Sequence, residues 1–193
     1  MPRDNPGRQP FGETDWLTLG QAARYLGVAQ STIRKGSDSG RVRVFKTPGR
    51  HRRYRRADLD AFLQRSAPES HSGPIVLIVD DDERLREYVR VNLEMEGYTV
   101  HEAGSAEEGM KVLDELRPDL VLLDVMMPKV DGWEMLQLMH ERHGVGSIPV
   151  VMFSGKVDEA VADEAAERGA QGFIGKPFDP QELITQTKQL LPT

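Results

Sequence analysis

Three consecutive carboxylates, Asp80, Asp81 and Asp82, follow directly on the apolar run Ile75–Val79. A continuous apolar run of this kind predicts a strand buried on both faces, as in a parallel sheet. The acids begin where the strand should end, and ligands bind at that edge of such a sheet. Adjacent carboxylates repel one another, so a bound cation would hold them together. The alternative is an acidic first turn of the next helix, where Asp complements the helix dipole.

Other strand-like runs in the same half of the chain also end in polar side chains: Asp124, Ser154 and Lys176. Because the loops after parallel strands share one edge of the sheet, we predict that these groups converge with Asp80 and Asp81. The carboxylates are hard ligands suited to Mg²⁺, which would neutralise charge beside Asp124 as a phosphoryl group approaches. Asp124 can then be the nucleophile and become an aspartyl phosphate. Ser154 and Lys176 can each pair with a phosphoryl oxygen, and the bond from Lys176 to the following proline is a candidate cis peptide.

Strand and helix patterns alternate five times from Ile75 onward. The predicted strands are 75–79, 99–102, 120–123, 149–153 and 172–174, and the predicted helices are 82–96, 105–116, 132–143, 158–168 and 180–191. This alternation implies an α/β fold, with a doubly wound five-stranded parallel sheet covered on both faces. Asp82 and Glu83 are predicted to start a helix rather than bind metal, and Asp131-Gly132 to form a turn and helix start.

The charge of the chain divides it into a basic and an acidic half. Residues 1–70 carry 14 Lys and Arg against 7 Asp and Glu, and residues 71–193 carry 11 against 24. The basic half indicates a nucleic-acid partner. The sequence contains no cysteine, which excludes disulfides and thiolate sites. Because no apolar run approaches the roughly 18 residues of a membrane span and no signal-peptide core is present, we expect a cytoplasmic protein with no membrane partner.

Two short helices joined by a tight turn are predicted in the basic half, after a disordered arm at residues 1–14. Thr18 and Gln21 match a capping box, and Gly27 can end the first helix. A second helix should begin near Gln30, which gives a helix-turn-helix. Its side chains predicted to face solvent can meet base edges and phosphates: Gln30, Ser31, Thr32, Arg34 and Lys35.

A basic hairpin, or wing, should follow these helices. Residues 41–45 and 51–56 are its predicted strands, and residues 47–50, Thr-Pro-Gly-Arg, predict a type II turn between them. Residues 57–63 should form a helix packed beneath the hairpin. Six basic residues among Arg50–Arg56 exceed what protection of an edge strand requires, which favours nucleic-acid binding over a merely solvated edge. Residues 66–74 are a predicted linker, which places the domains at 15–65 and 75–193.

Residues 16–65 resemble the winged helix-turn-helix of the MerR and excisionase superfamily, through Thr-Leu-x-x-Ala-Ala-x-Tyr-Leu-Gly-Val, Ser-Thr-Ile-Arg, Thr-Pro-Gly-x-His-Arg-Arg-Tyr and Ala-Asp-Leu-x-Ala-Phe-Leu. The resemblance implies that the Gln30–Lys35 helix enters a major groove of double-stranded DNA. It also implies backbone or minor-groove contacts from the wing: Arg50, His51, Arg52 and Arg53. Ala29 stands where relatives usually carry a Ser cap, and Gly36 where they usually carry an anchoring aromatic. We therefore predict a short recognition helix that frays at Gly36.

Residues 74–193 resemble the receiver domain of two-component response regulators, through Val-Asp-Asp-Asp-Glu, Leu-Leu-Asp-Val-Met-Met-Pro-x-x-Asp-Gly, Phe-Ser-Gly and Gly-Lys-Pro-Phe. The resemblance implies that a sensor histidine kinase phosphorylates Asp124. It implies that Mg²⁺ is held by four groups: Asp80, Asp81, Asp124 and the backbone carbonyl of Met126. It also implies the residues that respond to the phosphoryl group: Lys176, Ser154 and, at the position of the family's rotating aromatic, Phe173.

The two resemblances together predict a transcription regulator rather than an enzyme, with the DNA-binding module first and the receiver second. Phosphorylation would rearrange Ser154, Phe173 and the face formed by residues 158–191. Because no dimerising coiled coil is present, we hypothesise that this face forms a homodimer on phosphorylation. The alternative is an interaction or phosphorelay module whose N-terminal domain docks protein rather than DNA. An aspartyl-phosphate hydrolase is disfavoured because the acidic half leaves no room for a cap domain.

Overall fold

A computed structural model describes residues 15–47, 49–64, 73–155 and 159–191 of the chain. The chain divides into two compact units, Met1–Gln64 and Arg65–Thr193. The predicted disordered arm at residues 1–14 and most of the predicted linker at 66–74 lie outside the described residues. None of the helices in the described ranges is long and apolar enough to cross a membrane.

Over residues 15–47 and 49–64, the first unit combines three helices with a small antiparallel sheet. Its elements are β1 (Trp16–Thr18), α1 (Leu19–Leu26), α2 (Gln30–Asp38), β2 (Phe45–Lys46), β3 (Arg52–Arg55) and α3 (Arg56–Leu63). The predicted capping box of α1 is present, with reciprocal bonds between Thr18 and Gln21. Gly27 ends α1 in the left-handed conformation, at φ 68°. Helices α1 and α2 therefore form the predicted helix-turn-helix.

The recognition helix α2 differs from the prediction in two respects. It continues past Gly36 to Asp38, so the predicted early end of the helix is wrong, whereas fraying at Gly36 stays a prediction. Thr32 is buried, with only 2% of its surface exposed, so its predicted orientation toward solvent is also wrong. The reason is helical periodicity: Thr32 lies about 40° from Gly36 around the helix, on the same side as Ile33, and these residues face the core. Ala29 makes no side-chain cap, as predicted.

The aromatic anchor of α2 comes from β3 instead of from position 36. Tyr54 is fully buried, and its hydroxyl is hydrogen bonded to that of Ser37 at 3.0 Å. Ser37 in turn donates to the carbonyl of Ile33 at 2.6 Å. A tyrosine below the last turn therefore replaces the anchoring side chain that Gly36 lacks.

Replacing Tyr54 with Phe should weaken the last turn of α2 while keeping the ring in place. Loss of a buried hydrogen bond costs about 1 kcal/mol, or roughly fivefold in the population of the open helix. Hydrogen exchange of residues 30–38 measures this change. Because both hydroxyls belong to one bond, the Ser37→Ala/Tyr54→Phe double variant should lose less than the sum of the single losses. Simple additivity, or unchanged exchange in Tyr54→Phe, would contradict this account.

The wing is shorter than predicted and contains a strand that the sequence did not indicate. The predicted strand at 41–45 is reduced to Phe45–Lys46, because the amides of Arg41 and Val42 donate to the carbonyl of Gly36 and turn the chain around α2. The unpredicted strand β1 pairs with β3, and the sheet order is β1-β3-β2. Pro48, in the predicted type II turn, lies outside the described residues. The turn closes through the amide of Arg50, which donates to the carbonyl of Thr47 at 2.8 Å.

The second unit is the predicted doubly wound α/β fold. Its strands are β4 (Ile75–Val79), β5 (Thr99–Ala103), β6 (Leu120–Asp124), β7 (Val150–Ser154) and β8 (Gly172–Gly175). Its helices are α4 (Glu83–Glu96), α5 (Ala106–Leu116), α6 (Gly132–His143), α7 (Glu159–Glu167) and α8 (Pro180–Leu190). The sheet is parallel throughout, in the order β5-β4-β6-β7-β8. The prediction of five strands and five helices in this half is confirmed.

Alternate residues of the central strands explain why both faces of this sheet are covered. Leu77 and Val79 pack with α5 and α6, whereas Val76 and Ile78 pack with α4 and α8. Apolar burial on both faces stabilises the layers and leaves the strand ends as the polar part of the sheet. The carboxyl ends of β4 and β6 are neighbours in the strand order, so the acids that follow them meet.

Candidate functional site

The carboxylates at the ends of β4 and β6 form one cluster. Ligand oxygens of Asp80, Asp81 and Asp124 lie within 4.8 Å of one another. Asp80 is completely buried and Asp124 is 3% exposed, whereas Asp81 is exposed. Asp82 stands apart as the cap of α4, where its side chain accepts from the amide of Arg84 at 2.9 Å. The prediction that Asp82 starts a helix is therefore confirmed.

Lys176 brings a positive charge into the cluster from the end of β8. Its Nζ lies 2.6 Å from Oδ2 of Asp80 and 2.9 Å from Oδ1 of Asp124. The bond from Lys176 to Pro177 is cis, as the sequence suggested. Asp80 is held further through its other oxygen, which accepts from the amide of Asp82 at 2.9 Å. Two carboxylates from different strands thus share one ammonium.

The surroundings of the cluster raise the pKa of both Asp124 and Lys176. Burial raises the pKa of Asp124, and the charge of Asp80 raises it further, against the opposing effect of Lys176. Burial alone would lower the pKa of Lys176, but its bonds to Asp80 and Asp124 outweigh that effect and the pKa is raised. Lys176 therefore stays charged at neutral pH, and one ammonium leaves the carboxylates only partly compensated.

The remaining predicted site residues lie around this cluster. Ser154 ends β7 and is 2% exposed; in the sheet, the preceding residue, Phe153, pairs with Asp124. Phe173 is half-buried in β8 and packs on the α5 and α6 side of the sheet. Met126 supplies a backbone hydrogen bond that lowers the pKa of Asp124, and its side chain is 63% exposed. The role of the Met126 carbonyl as a metal ligand stays a prediction.

Two contributors to the site were missed by the sequence reasoning. Arg86, in the first turns of α4, donates to the backbone carbonyl of Asp80 at 2.6 Å. Phe178, two residues after Lys176, stacks on Phe153 with ring centroids 5.1 Å apart and also faces Tyr88 at 6.1 Å. An arginine three positions after Glu83 is an ordinary helix residue in sequence, so only the fold reveals its contact. The aromatic ring anchors the loop that carries Lys176.

Replacing Phe178 with Ala should slow phosphorylation by a small-molecule donor about tenfold. The ring fixes the loop after β8, and misplacement of a catalytic group by about 1 Å can cost up to a hundredfold in rate. Intact-mass time courses with acetyl phosphate measure the rate. Phe178→Leu is the matched control, since it keeps an apolar contact with Phe153 and should lose less. An unchanged rate in Phe178→Ala would mean that Lys176 is positioned without the ring.

The predicted DNA-binding residues lie on two adjoining elements of the first unit. Gln30, Ser31, Arg34 and Lys35 are exposed on α2, and Arg50 and His51 are exposed on the turn of the wing. Arg52 differs from them, because its guanidinium contacts Asp38 at 2.6 Å and its Nη1 donates to the carbonyl of Arg34 at 3.4 Å. Arg52 thus joins the wing to the recognition helix. Trp16 and Phe45 make an edge-to-face pair on the wing, with Phe45 51% exposed.

Each of the two units matches a model of a known protein family. A family model described as the response regulator receiver domain matches residues 76–188, more than half of the chain. The chain belongs to the response regulator receiver family. A second model, described as a helix-turn-helix domain, matches residues 16–67. The predicted order, a helix-turn-helix domain followed by a receiver, is therefore confirmed.

Curated relatives match through the receiver. The chain is 36% identical over 120 residues to the DNA-binding dual master transcriptional regulator RpaA of Synechocystis, a match that covers 61% of this chain and 49% of that protein. It is 37% identical over 119 residues to the phosphate regulon transcriptional regulatory protein PhoB of Pseudomonas aeruginosa, a match that covers 62% of this chain and 52% of that protein. The chain spans about half the length of the curated relatives it matches.

Solved structures support the same fold for the receiver. The chemotaxis protein CheY4 of Vibrio cholerae superposes with a TM-score of 0.59 at 28% identity, covering 62% of this chain and 100% of that one. The receiver domain of NtrX from Brucella abortus superposes with a TM-score of 0.57 at 33% identity, and the match covers 61% of this chain and 98% of that one.

The carboxylates of the receiver suit a hard divalent cation. Three acid groups face one ammonium, and the raised pKa of Asp124 reports the repulsion and burial that a cation would offset. All the donors are oxygens, which calcium and magnesium prefer and softer metals do not. Asp80, Asp81 and Asp124 are the residues that would hold such an ion.

Proposed function

We propose that this protein is a phosphorylation-dependent transcription regulator of a two-component system, and that it is not an enzyme acting on an external substrate. The observation that carries the proposal is the buried Asp124 beside Asp80 and Lys176, with Nζ 2.9 Å from the Asp124 carboxylate. The partners are a sensor histidine kinase, which donates the phosphoryl group, and double-stranded DNA. We place the DNA-binding domain at residues 15–65 and the receiver at 75–193, in the cytoplasm.

The phosphoryl transfer uses Asp124 as nucleophile. An oxygen of its carboxylate attacks the phosphorus of a phosphohistidine; the new P–O bond forms as the P–N bond breaks, and the leaving imidazole nitrogen keeps the bonding electrons. Mg²⁺, held by Asp80, Asp81, Asp124 and the carbonyl of Met126, supplies charge neutralisation when bound. The 2.9 Å between Nζ of Lys176 and Oδ1 of Asp124 supports a role for Lys176 in pairing with a phosphoryl oxygen on Asp124.

We propose that phosphorylation of Asp124 changes the conformation of the receiver through Ser154 and Phe173. Ser154 lies at the end of the strand next to that of Asp124, so its hydroxyl can donate to a phosphoryl oxygen. A shift of Ser154 would change the packing beside Phe173, whose neighbour in the sheet is Met152 of the same strand as Ser154. We propose that this rearranges the face formed by α7, β8 and α8 and pairs two chains, which brings two DNA modules together.

Two measurements on the full chain test the proposal. Acetyl phosphate with Mg²⁺ should add one phosphoryl group to Asp124 by peptide mass spectrometry, and chelation of Mg²⁺ should prevent it. Selection from random duplexes, with and without beryllofluoride, should recover a shared sequence whose binding weakens with added salt. Phosphorylation without any duplex recovered in either state would favour the protein-docking alternative. If no phosphoryl group is added to Asp124, the proposal that phosphorylation regulates this protein is wrong.

Dimerisation is tested separately, because it can fail while the rest stands. Light scattering should show the mass doubling on beryllofluoride treatment. An unchanged mass would count against pairing through the face of α7, β8 and α8, and would leave the phosphoryl chemistry and the DNA contacts intact.

A further inference from the structure

A basic concavity lies between the first turn of α1, helix α2 and the wing. Its volume is about 630 Å³, and its lining includes Thr18, Gly20, Arg34, Arg50, His51 and Arg53. The cationic groups come from two elements, Arg34 from α2 and the others from the wing, so the fold brings them together. None of the described residues that line it is acidic. Donor groups therefore dominate the cavity, which favours an anionic ligand.

Helix α2 presents two different edges, and only one of them borders this concavity. Gln30 Nε2 lies 3.4 Å from the position that a Cβ on Gly20 would occupy, so this edge contacts the first turn of α1. Arg34 is one helical turn further along the same edge, and its carbonyl accepts from Arg52 of the wing. Ser31 and Lys35 are each rotated by about 100° from these residues, onto the outer edge of the helix.

Arg52 holds in place two of the elements that form the concavity, the wing and helix α2. Its bond to Asp38 fixes the wing against the end of α2, with the Arg52 side chain only 19% exposed. The bond to Asp38 also raises the pKa of Arg52. We therefore assign Arg52 to holding the wing against α2 rather than to contacting a ligand. Arg34, Arg50 and Arg53 surround the cavity that this clamp positions.

We infer that this concavity binds a backbone phosphate of the DNA duplex, and that Arg34 is a phosphate contact rather than a reader of bases. This inference rests on the proposed DNA-binding function. It assigns a different role to each of the two edges of the recognition helix. The Gln30–Arg34 edge, with the wing and α1, fixes the position of the helix on the backbone. The Ser31–Lys35 edge faces outward and reads base edges. A cavity lined by donors suits a phosphate, whereas adenine and cytosine edges also present donors of their own.

Two variants one residue apart, each removing one positive charge, test this division. Wild type, Arg34→Ala and Lys35→Ala of the full chain are compared on the selected duplex and on a shuffled duplex of equal length. Arg34→Ala should weaken binding to both duplexes by a similar factor, about tenfold, and reduce the slope of log affinity against log salt by about 1. Lys35→Ala should instead lower the preference for the selected duplex. Arg43→Ala, exposed and outside the concavity, controls for loss of net charge.

Duplexes carrying single methylphosphonates then locate the contact. Neutralising one particular phosphate should weaken wild type and Arg43→Ala but leave Arg34→Ala unaffected, and Arg34→Lys should keep part of the response. If Arg34→Ala lowers the preference for the selected duplex, or responds to every methylphosphonate as wild type does, the assignment is overturned. If wild type binds no duplex, the proposed DNA-binding function fails and this inference fails with it. An unchanged melting temperature of the first unit, followed by the fluorescence of Trp16, confirms that each variant is folded.

Discussion

Replacing Asp124 with Asn should abolish phosphorylation of the chain. The amide oxygen is a poor nucleophile and cannot form the acyl phosphate, so acetyl phosphate with Mg²⁺ should add no phosphoryl group by mass spectrometry. Asp82→Asn is the matched control, because Asp82 belongs to the same acidic run but caps α4, and Asn caps a helix as well as Asp does. Phosphorylation of Asp124→Asn at an unchanged rate would place the acceptor elsewhere.

The same substitution should stabilise the metal-free chain at neutral pH. Burial and the charge of Asp80 raise the pKa of Asp124 above its ordinary value of 3.8, so the folded chain holds this proton more tightly than the unfolded chain does. Its contribution to stability is complete below the ordinary pKa and is lost as pH rises through the raised pKa. Asn removes the ionised carboxylate, so we expect the melting temperature at pH 7 to rise by roughly 2 to 4 °C.

The pH dependence separates this electrostatic cause from a packing effect. The advantage of Asp124→Asn should shrink as pH falls through the raised pKa, because the wild-type carboxyl is then protonated and neutral. Added Mg²⁺ should raise the melting temperature of wild type more than that of Asp124→Asn, since one carboxylate of the cluster is missing in the variant. A difference that is constant from pH 4 to pH 7 would point to packing instead.

The acidic half could be predicted closely because its central strands, β4, β6 and β7, are almost entirely buried. Runs such as Ile75–Val79 and Leu120–Leu123 are apolar throughout, and the first polar residue after each marks the shared edge of the sheet. Asp80, Asp124 and Lys176 could therefore be placed together without knowledge of their distances. What the sequence could not supply was the set of contacts that support the site: Arg86 is an ordinary helix residue in sequence, and the Gly-Lys-Pro-Phe motif that contains Phe178 does not indicate its contact with Phe153.

The basic half was harder to predict because its elements are short. Two-residue β2 has no periodicity to detect, and β1 is a strand only because β3 lies beside it. The differences at Thr32 and Gly36 arise because neither helix propensity nor the residue types of relatives indicates which face of α2 meets the core. Burial of Thr32 follows from which face meets the core, and Tyr54 supplies the anchor from another element.

Gly132 is a position where a small substitution should have a large effect on stability. It is the first residue of α6, and a Cβ at this position would lie 2.2 Å from the backbone oxygen of Asp124 and 2.9 Å from the Cα of Val125. The amide of Gly132 also donates to the carbonyl of Val125 at 3.0 Å. The loop after β6 therefore folds back on the strand that carries the phosphoacceptor, and only glycine permits this approach.

Gly132→Ala should destabilise the receiver by about 3 kcal/mol or more, because backbone rather than a flexible side chain must move to admit the methyl group. Ala favours helix over Gly by up to about 1 kcal/mol, so the steric cost must exceed that gain before it appears in thermal or denaturant unfolding. Gly155→Ala is the matched control: among the described residues no heavy atom lies within 4 Å of its added Cβ, and we expect a change within about 0.5 kcal/mol. Whatever fraction of Gly132→Ala remains folded should phosphorylate slowly, since the backbone that must yield belongs to Asp124. Wild-type stability in Gly132→Ala would show that the loop can leave the strand at little cost, and the close contact would then not be what positions the nucleophile.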